Sequence, residues 1–346
     1  MRISDPRTNS SFLISIITFL ISFDAGGQKH TETLEIKLPE AKISGCLYNS
    51  IKLIDERIDT TAYGIIQLGA FNKKAKVIME VPLRQQLTAV VNAMTDNTAK
   101  NEELVLLLRQ FSLAEITGAF NESGYCYMRA ILFGSGNGVY HRLTSIDTVI
   151  TISSMDVTRA LLRRGSSVIT DLIIDNIRKV PADTINYTFN DLVYTDSLEK
   201  RSLFVYNTTE YKAGAYKTFA SFVNQQPDKE DLLIEFWKNT DHVKSVQFKN
   251  QKGKFVEMEL KPWYAFVFQN RLYINTDFGV YPLEKKGNDF YFTGKGRSQA
   301  KAGDVAAATF FFGIIGGLMA SSGGVGVFEM KIDHLTGGFI HLREVK

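Results

Sequence analysis

The feature that most constrains this chain is an uncharged run from Val305 to Phe328, VAAATFFFGIIGGLMASSGGVGVF, its longest apolar segment, which holds six glycines. An apolar segment of this size has to be buried, either in protein or in lipid. A membrane-spanning helix needs about 20 apolar residues. The stretch from Asp304 to Ser322 nearly supplies them before two serines and two glycines interrupt it. The length of the run therefore leaves both surroundings open.

The residues that follow the run favour burial in protein. Segments 328–333 and 338–343 alternate apolar with polar residues around Thr336-Gly337-Gly338, a pattern that predicts a β-hairpin. Such a hairpin has to join a sheet, and the nearest predicted strands lie before the run, at residues 263–293. Both ends of the run are therefore expected in one compartment.

Three arrangements of the run remain open. It forms a helix or helical hairpin packed on its own domain or on a partner subunit, it inserts into or docks on a membrane, or it is a disordered apolar loop. Its glycines leave a thin helix face that a second backbone can approach closely. The candidate oligomer or membrane contacts are Phe310, Phe311, Phe312, Gly313, Gly316 and Gly317.

The N-terminus has the pattern of a secretory signal. Arg2 and Arg7 precede the apolar segment 12–23, and Ala25-Gly26-Gly27 places small residues where a signal peptidase cleaves. We expect cleavage before Gln28, with an uncleaved N-terminal anchor as the alternative. The chain is therefore predicted to be exported, to the periplasm or in association with the outer membrane.

Composition limits the partners and the redox chemistry. The chain has 346 residues, 45% of them hydrophobic, and a formal net charge of +3. That is enough for two ordinary domains, and so small a surplus of positive charge predicts no nucleic-acid partner. The two cysteines, Cys46 and Cys126, either form one disulfide in an exported chain or are two buried thiols.

Residues 28–180 are predicted to form an α+β domain, a sheet covered by helices on one face. The spacing of apolar residues from Leu83 to Met94 predicts a helix that begins after Pro82. A second helical stretch, 156–177, is expected to split in two at Gly165 and the serines that follow. Strands are predicted at 34–38, 50–58, 63–68, 76–81, 104–108, 124–133 and 139–153.

Residues 181–200 combine turn formers with isolated aromatic residues and are predicted to be a linker. The segments that follow, 201–346, alternate in the manner of closely spaced strands with turns between them. A β-rich second domain is expected, either a sandwich or a curled meander, with the apolar glycine-rich segment 305–328 as a helical insertion.

The order of elements in the first region resembles a known group of proteins. A strand with Asp55-x-Arg57, Gly64 in the next strand, a helix of the form Leu83-x-x-x-Leu87, a return strand and a closing amphipathic helix resemble the auxiliary lipoproteins of the Gram-negative envelope. This group includes ABC-transport auxiliary components and YajG-like proteins, and the resemblance implies a non-catalytic envelope component. The chain departs from the group because it lacks a lipidated cysteine and has a long C-terminal extension.

The second region carries its own pattern. Residues 214–222 have the form Gly-x-Tyr-Lys-Thr-Phe-x-x-Phe, and the motifs at 272–275, 281–283 and 332–337 follow. The combination is similar to exported proteins of unknown function from the Bacteroidota. This resemblance brings no activity with it.

No catalytic or metal motif is present. The chain has no H-E-x-x-H sequence and no cysteine pair at ligand spacing. Asp171 and Asp175 lie four residues apart on a helix with an apolar back, which is typical of a solvated face. No cofactor is predicted. The histidines are His30, His141, His242, His334 and His341; the last two flank the final turn and are expected as polar positions on an exposed hairpin.

Three functions remain as hypotheses. The favoured one is a non-catalytic binding or assembly component of the cell envelope, whose partner is an envelope protein, a membrane surface or a second copy of the chain. The second is a periplasmic carrier of a lipid or another apolar ligand, held in a pocket beside the apolar run. The third is an envelope hydrolase, which would need a cleft with His141 or His242 beside a carboxylate and a hydroxyl group.

Overall fold

The computed structural model describes residues 30–68, 73–117, 122–154, 156–238, 240–297 and 325–345. Within them the protein is a mixed α+β structure rich in sheet, which confirms the predicted class at that level. The predicted signal peptide, residues 1–27, lies outside the described residues.

The described part of the first region contains seven strands and two helices. The strands are β1 (Thr31–Thr33), β2 (Tyr48–Asp55), β3 (Gly64–Leu68), β4 (Lys73–Ile78), β5 (Glu102–Thr117), β6 (Glu122–Gly136) and β7 (Val139–Ile152), and the helices are α1 (Leu83–Met94) and α2 (Val157–Ile174). The strands form one sheet in the order β1-β4-β3-β5-β6-β7, and β2 pairs in parallel with the first half of β5. Asn137 and Gly138, both at positive φ, make the tight turn between β6 and β7.

Strand β5 is the centre of this sheet and is buried on both faces. Leu104, Leu106 and Leu108 point to the side of the two helices, where they join one core cluster with residues of α1 and α2. Val105 and Leu107 point to the other side and belong to a separate cluster. An unbroken apolar segment is what a strand covered on both faces requires.

Helix α2 is continuous, so the predicted break at Gly165 is wrong. A Cβ on Gly165 would lie 2.9 Å from Leu113 Cδ2, which shows how closely the helix approaches β5. The hydroxyl of Ser166 accepts a hydrogen bond from Lys37 N at 2.6 Å, and Thr170 Oγ1 donates to Lys37 O at 2.7 Å. The small residues serve helix packing and hold a neighbouring loop, and they do not end the helix.

The same loop explains why no strand forms at 34–38. Leu34 and Ile36 are buried, as their alternation predicts. However, Ile36 N donates to Gln86 Oε1 at 2.6 Å, and Lys37 is held by α2, so the backbone is satisfied by helix side chains. Strand β1 forms just before this segment instead.

The predicted linker, 181–200, contains two short helices, α3 (Phe189–Val193) and α4 (Thr195–Arg201). Helix α3 begins with a capping box formed by Thr188 and Asp191. Leu192 is fully buried against the β5 and β6 face that lies opposite α1 and α2. The segment therefore packs on the sheet, although the domain boundaries themselves remain a prediction.

The second region follows a short 3-10 helix, Phe204–Tyr206. Its elements are β8 (Gly214–Tyr216), α5 (Phe219–Val223), β9 (Leu232–Phe236), β10 (Val243–Lys249), β11 (Phe255–Glu257), β12 (Ala265–Phe268), β13 (Arg271–Thr276), β14 (Gly279–Lys286), β15 (Asp289–Arg297), β16 (Val325–Ile332) and β17 (Phe339–Glu344). Strands β12 to β17 pair in sequence order as an antiparallel meander, with β8 beside β12.

Each face of this meander has its own core. On one face, the rings of Phe290, Phe292 and Phe328 pack with α5 and the 3-10 helix. On the other face, Phe266 and Tyr273 pack against the three-stranded sheet β11-β10-β9. The region therefore combines a meander with a second layer. The predicted hairpin at the C-terminus is confirmed as β16 and β17.

Candidate functional site

The apolar run begins and ends at neighbouring strands. Strands β15 and β16 are antiparallel partners, and their last described pair joins Arg297 to Val325. The two described residues that flank segment 298–324 therefore lie at the same end of the meander, on strands about 5 Å apart. Residues 325–328 of the run lie in β16, which corrects their assignment to a helical insertion. The candidate contacts between Phe310 and Gly317 lie outside the described residues.

A cavity of about 600 Å³ opens beside this end of the meander. Its volume is within the range of small-molecule sites. Lys295 and Gly296 of β15 contribute to the wall at the point where the run departs. The described residues of the lining are Leu260, Lys261, Trp263, Asn275, Thr276, Asp277, Phe278, Gly279, Lys295, Gly296, Met330 and Phe339.

The wall of the cavity is positioned by local hydrogen bonds. Asn275 Nδ2 donates to the carbonyls of Leu260 and Trp263, each at 2.8 Å, and so fixes the turn that carries Trp263. Thr276 Oγ1 donates to Gly279 O at 3.0 Å and closes the turn between β13 and β14. Phe339 is held by an edge-to-face contact with Phe292, with ring centroids 5.1 Å apart. These contacts fix the positions of Trp263, Phe339 and the β13–β14 turn in the wall of the cavity.

The charges around the cavity are unequal. Lys261 and Lys295 are two exposed cations, and Asp277 is the one carboxylate among the described residues of the lining. Trp263 and Met330 are buried. An apolar interior with a positive rim suits a ligand that has an apolar body and an anionic group.

A second depression, of about 350 Å³, contains His242. Carboxylates of Asp241, Glu284 and Glu329 and hydroxyls of Tyr281, Tyr291 and Thr293 share its lining. All three carboxylates already have partners, since Glu284 pairs with Lys286 at 2.9 Å, Glu329 with Arg343 at 2.6 Å and Asp241 with Arg271 at 3.8 Å. Among the described residues, no hydrogen bond joins the His242 ring to a carboxylate or a hydroxyl group. The arrangement thus lacks a base aligned with a nucleophile.

A cluster of partly buried charges joins the two regions. Arg109 of β5 contacts Glu199 of α4 at 2.7 Å and Glu56 at 3.4 Å. His334, in the turn between β16 and β17, lies 3.0 Å from Glu199 and 3.5 Å from Asp196. These contacts connect the face of the first sheet to the last turn of the second region through α4.

A second set of ion pairs, centred on Arg129, belongs to the same charge cluster. Arg129 of β6 contacts Asp333 at 2.6 Å and Asp147 at 3.0 Å. Burial alone would raise the pKa of Asp333, but the charge of Arg129 and its hydrogen bond outweigh burial, so the pKa is lowered. The pKa of Glu199 is lowered for the same balance of reasons, with His334 and Arg109 as donors. Both carboxylates are therefore ionised partners of the arginines.

The last two histidines are buried, which corrects the expectation of exposed polar positions. His334 belongs to the charge cluster, and His341 of β17 is 0% exposed. The His341 ring packs edge-to-face on Phe328, with centroids 5.0 Å apart, and burial lowers its pKa to about 4. A Cβ on Gly296 would lie 2.7 Å from His341 Nε2, so this glycine makes room for the ring. Within the described residues, no three potential metal ligands form a group.

Cys46 and Cys126 are both free and buried, so the structure contains two thiols and not the alternative disulfide. Tyr48, two residues after Cys46, pairs with Glu102 at the start of β5, while Cys126 pairs with Leu113, eleven residues further along β5. At about 3.3 Å per residue the two sites are some 36 Å apart. A disulfide needs Cα atoms within about 7 Å.

Asp55 and Arg57 are more than a surface ion pair. Arg57 is only 6% exposed, and its Nε and Nη2 atoms both donate to the Asp55 carboxylate at 2.9 Å. The guanidinium lies 4.1 Å from the centre of the Tyr63 ring and also donates to Ala62 O at 3.0 Å. This pair fixes the loop between β2 and β3.

None of the described helices combines the length and apolarity needed to cross a membrane. No known family model matches the sequence, and no curated protein matches it. The structure is similar to that of a DUF330 protein from Xanthomonas campestris, at 11% identity and a TM-score of 0.28, over 41% of this chain and 92% of that one. It is also similar to an uncharacterised protein at 10% identity and a TM-score of 0.26, over 43% of this chain and 98% of that one. Similarities this low carry no argument about function.

The charge cluster was not predicted from the sequence. Its members come from β5, β6, β7, α4, the loop after β2 and the last turn, and Arg129 and Asp333 are 204 positions apart. Only one signal points to the cluster, namely the arginines Arg109 and Arg129 within otherwise apolar strand segments. Charges inside such segments require partners.

Proposed function

We propose that the protein is a non-catalytic binding and assembly component of the cell envelope, exported to the periplasm and associated with a membrane surface or an envelope protein. The observation that carries the proposal is the pairing of Arg297 with Val325. This pairing supports an apolar run tethered at both ends to one end of a folded sheet. Such a segment can contact a membrane or a partner while the rest of the chain stays outside the bilayer.

The surroundings of the tether support the same function. Lys295 is exposed at this end of β15, and Lys261 belongs to the same cavity rim. Basic side chains next to an apolar segment add attraction for anionic lipid headgroups, worth about 1 kcal/mol for each cation near the surface. Charge and apolar surface therefore act at one place on the molecule.

The test is flotation with vesicles that contain anionic lipid. Purified chain lacking the signal sequence is compared with a variant in which residues 305–324 are replaced by a Gly/Ser linker of equal length. The deletion must stop at Gly324, because Val325 already belongs to β16. An equal linker keeps the closure entropy of the β15–β16 connection close to that of the native chain.

We expect the native chain to float with the vesicles and the linker variant to remain in the dense fraction, with equal unfolding midpoints for the two proteins. Capture of an envelope protein by the native chain but not by the linker variant would support the partner form of the proposal. Equal behaviour of the two chains in both assays would refute it.

A second candidate function is transport of an amphipathic anion. The cavity of about 600 Å³, with Trp263 in its wall and two lysines at its rim, favours this function. The chain has two tryptophans, and the other, Trp237, is not part of the cavity lining. In a Trp237→Phe background, the fluorescence of Trp263 therefore reports on the cavity.

We expect oleate to shift the Trp263 emission to shorter wavelength with saturation, and oleyl alcohol to bind at least tenfold more weakly. The double variant Lys261→Ala/Lys295→Ala should bind the two ligands alike. An unchanged spectrum with oleate, together with no lipid in organic extracts of the purified protein, would exclude the carrier function.

A further inference from the structure

The strands at the edges of the described sheets differ in how they are protected from pairing with another chain. Strands β1, β8 and β11 have three residues each and β9 has five. The longer edges β2 and β17 carry charges within or at the end of the strand, Lys52 and Asp55 in the first and Arg343 and Glu344 in the second. Short length and charge are the usual means of preventing association between edges.

Strand β7 lacks the protection of short length, and its two charged residues are already in ion pairs, Arg142 with Asp183 at 3.8 Å and Asp147 with Arg129 at 3.0 Å. It has fourteen residues and ends the first sheet, with β6 on one side. On its other side, the one bridge among the described residues joins Tyr140 to Tyr187, near the start of the strand. From Thr144 to Ile152 every side chain is exposed or half-exposed, and β-branched residues dominate the sequence TSIDTVITI. A long edge of this composition is a template for a further strand.

Asp147 is the one charged residue of the 144–152 segment, and it is already paired with Arg129 at 3.0 Å. The segment therefore presents little repulsion to a second copy of itself. The register shift of the β6–β7 pair lies between Leu132 and Phe133, opposite Thr144 and Arg142, so regular pairing begins at Thr144. A β-bulge bends the strand before this point and limits the usable edge.

The usable edge defines one register. When two copies pair antiparallel about a two-fold axis, residues directly opposite each other must point to the same face of the sheet. This condition is met only when one residue lies opposite its own equivalent in the second copy, so the axis lies beside that residue. Only an axis at Thr148 pairs the complete segment 144–152 with itself. It places Ile146 opposite Ile150 of the second copy and Asp147 opposite Val149, whereas an axis at Asp147 would place two carboxylates opposite each other.

We propose that two copies of this chain associate through antiparallel pairing of residues 144–152 of β7, about a two-fold axis at Thr148. The sheets of the two first regions then form one continuous sheet. This contact uses the first region and is separate from the apolar run, so it goes beyond the proposed function and does not depend on it.

Cysteine cross-linking tests the register. Residues directly opposite each other in an antiparallel pair have Cα atoms about 4.5 to 5.5 Å apart, within the range of a disulfide. Thr148→Cys should therefore yield a disulfide-linked dimer of the native-length chain under mild oxidation. Ser145 and Thr151 face each other across the axis, so Ser145→Cys or Thr151→Cys alone should stay monomeric while the double variant is cross-linked. Cys46 and Cys126 are both buried, which makes the unsubstituted chain the blank.

The expected cross-linked yield for Thr148→Cys is at least tenfold above that of either single control. It should be unchanged when residues 305–324 are replaced by the Gly/Ser linker, which separates this contact from the proposed function of the run. Equal yields for Thr148→Cys and Ser145→Cys would indicate random collision and overturn the proposal. A monomer for the unsubstituted chain at 100 µM in analytical ultracentrifugation would overturn it as well.

Discussion

The two regions of the molecule are both built mainly from β-sheet, which is mixed in the first region and antiparallel in the second, but they bury their sheets differently. The first region covers its central strand on both faces, and Leu104 to Leu108 are all fully buried. The second region leaves one end of its meander beside a cavity and attaches the apolar run there. The difference suggests a division of work, in which the first region provides stability and the second provides contact with a ligand or a surface.

The charge cluster complicates this division. Arg109 and Arg129 belong to the first sheet, while their partners Glu199 and Asp333 belong to α4 and to the last turn of the second region. Breaking a buried ion pair leaves an uncompensated charge and is strongly destabilising. The two regions are therefore expected to unfold in one transition, although their cores are separate.

The largest expected effect is in the core of the first region. Leu106→Ala removes a fully buried side chain from the centre of β5 and should lower the free energy of unfolding by about 4 kcal/mol. Urea denaturation followed by circular dichroism measures the change. Leu38→Ala, at a residue 50% exposed, is the control and should cost less than about 0.5 kcal/mol. Similar losses for both variants would contradict a stability core at β5.

The next effect tests the coupling between the regions. Arg129→Met should destabilise the chain by about 3 kcal/mol because Asp333 stays buried and charged without its partner. It should also separate unfolding into two transitions by calorimetry. The matched control is Arg343→Met, which breaks an ion pair with a 73% exposed arginine and should cost less than about 1 kcal/mol. A single, unshifted transition in Arg129→Met would show that the cluster does not couple the regions.

A third effect belongs to the second region and depends on pH. Burial lowers the pKa of His341 from 6.5 to about 4, so the folded chain binds fewer protons than the unfolded chain between these values. The stability from this group is complete above pH 6.5 and falls as the pH drops towards 4, by about 2 kcal/mol at pH 5. His341→Phe keeps a ring against Phe328 and should remove this part of the slope, measured as unfolding free energy from pH 4.5 to 8. An unchanged slope would place the titration elsewhere.

The smallest effect concerns the room that glycine provides. Gly296→Ala brings a Cβ to 2.7 Å from His341 Nε2 and should cost about 1 kcal/mol, because the buried ring has to shift. Gly136→Ala, at a glycine with no atom within 4 Å of the added Cβ, should leave the thermal midpoint unchanged. Equal thermal midpoints for both variants would show that the His341 ring moves aside at no measurable cost in stability.

Sequence patterns predicted those strands and helices that bury one face and whose ends are set by neighbouring residues in the sequence. Leu83 to Met94 and the hairpin of β16 and β17 follow directly from spacing and turn residues. Prediction failed where a distant side chain replaced a local partner. Ser166 of α2 accepts a hydrogen bond from Lys37 in the loop at 34–38. Gly165 lets α2 pack closely against Leu113 and does not end the helix.

The site was less predictable than the fold. The described wall of the cavity is assembled from five separate chain segments between Leu260 and Phe339, and its charged residues have the pattern of ordinary surface positions in the sequence. The burial of His334 and His341 depends on how the last hairpin meets α4 and β15, which no local pattern contains. The apolar run itself was evident from composition alone.

The central claim is that contact with a surface occurs at the end of the meander where the run leaves β15. A polarity-sensitive fluorophore on Lys295→Cys reports on this end. The same label on Lys286→Cys, the β14 residue that pairs with Asp289 at the start of β15, reports on the opposite end. On addition of anionic vesicles, the account predicts a blue shift and increased intensity for the label at 295 and no change at 286. An equal response at both positions, or a response at 286 alone, would contradict it.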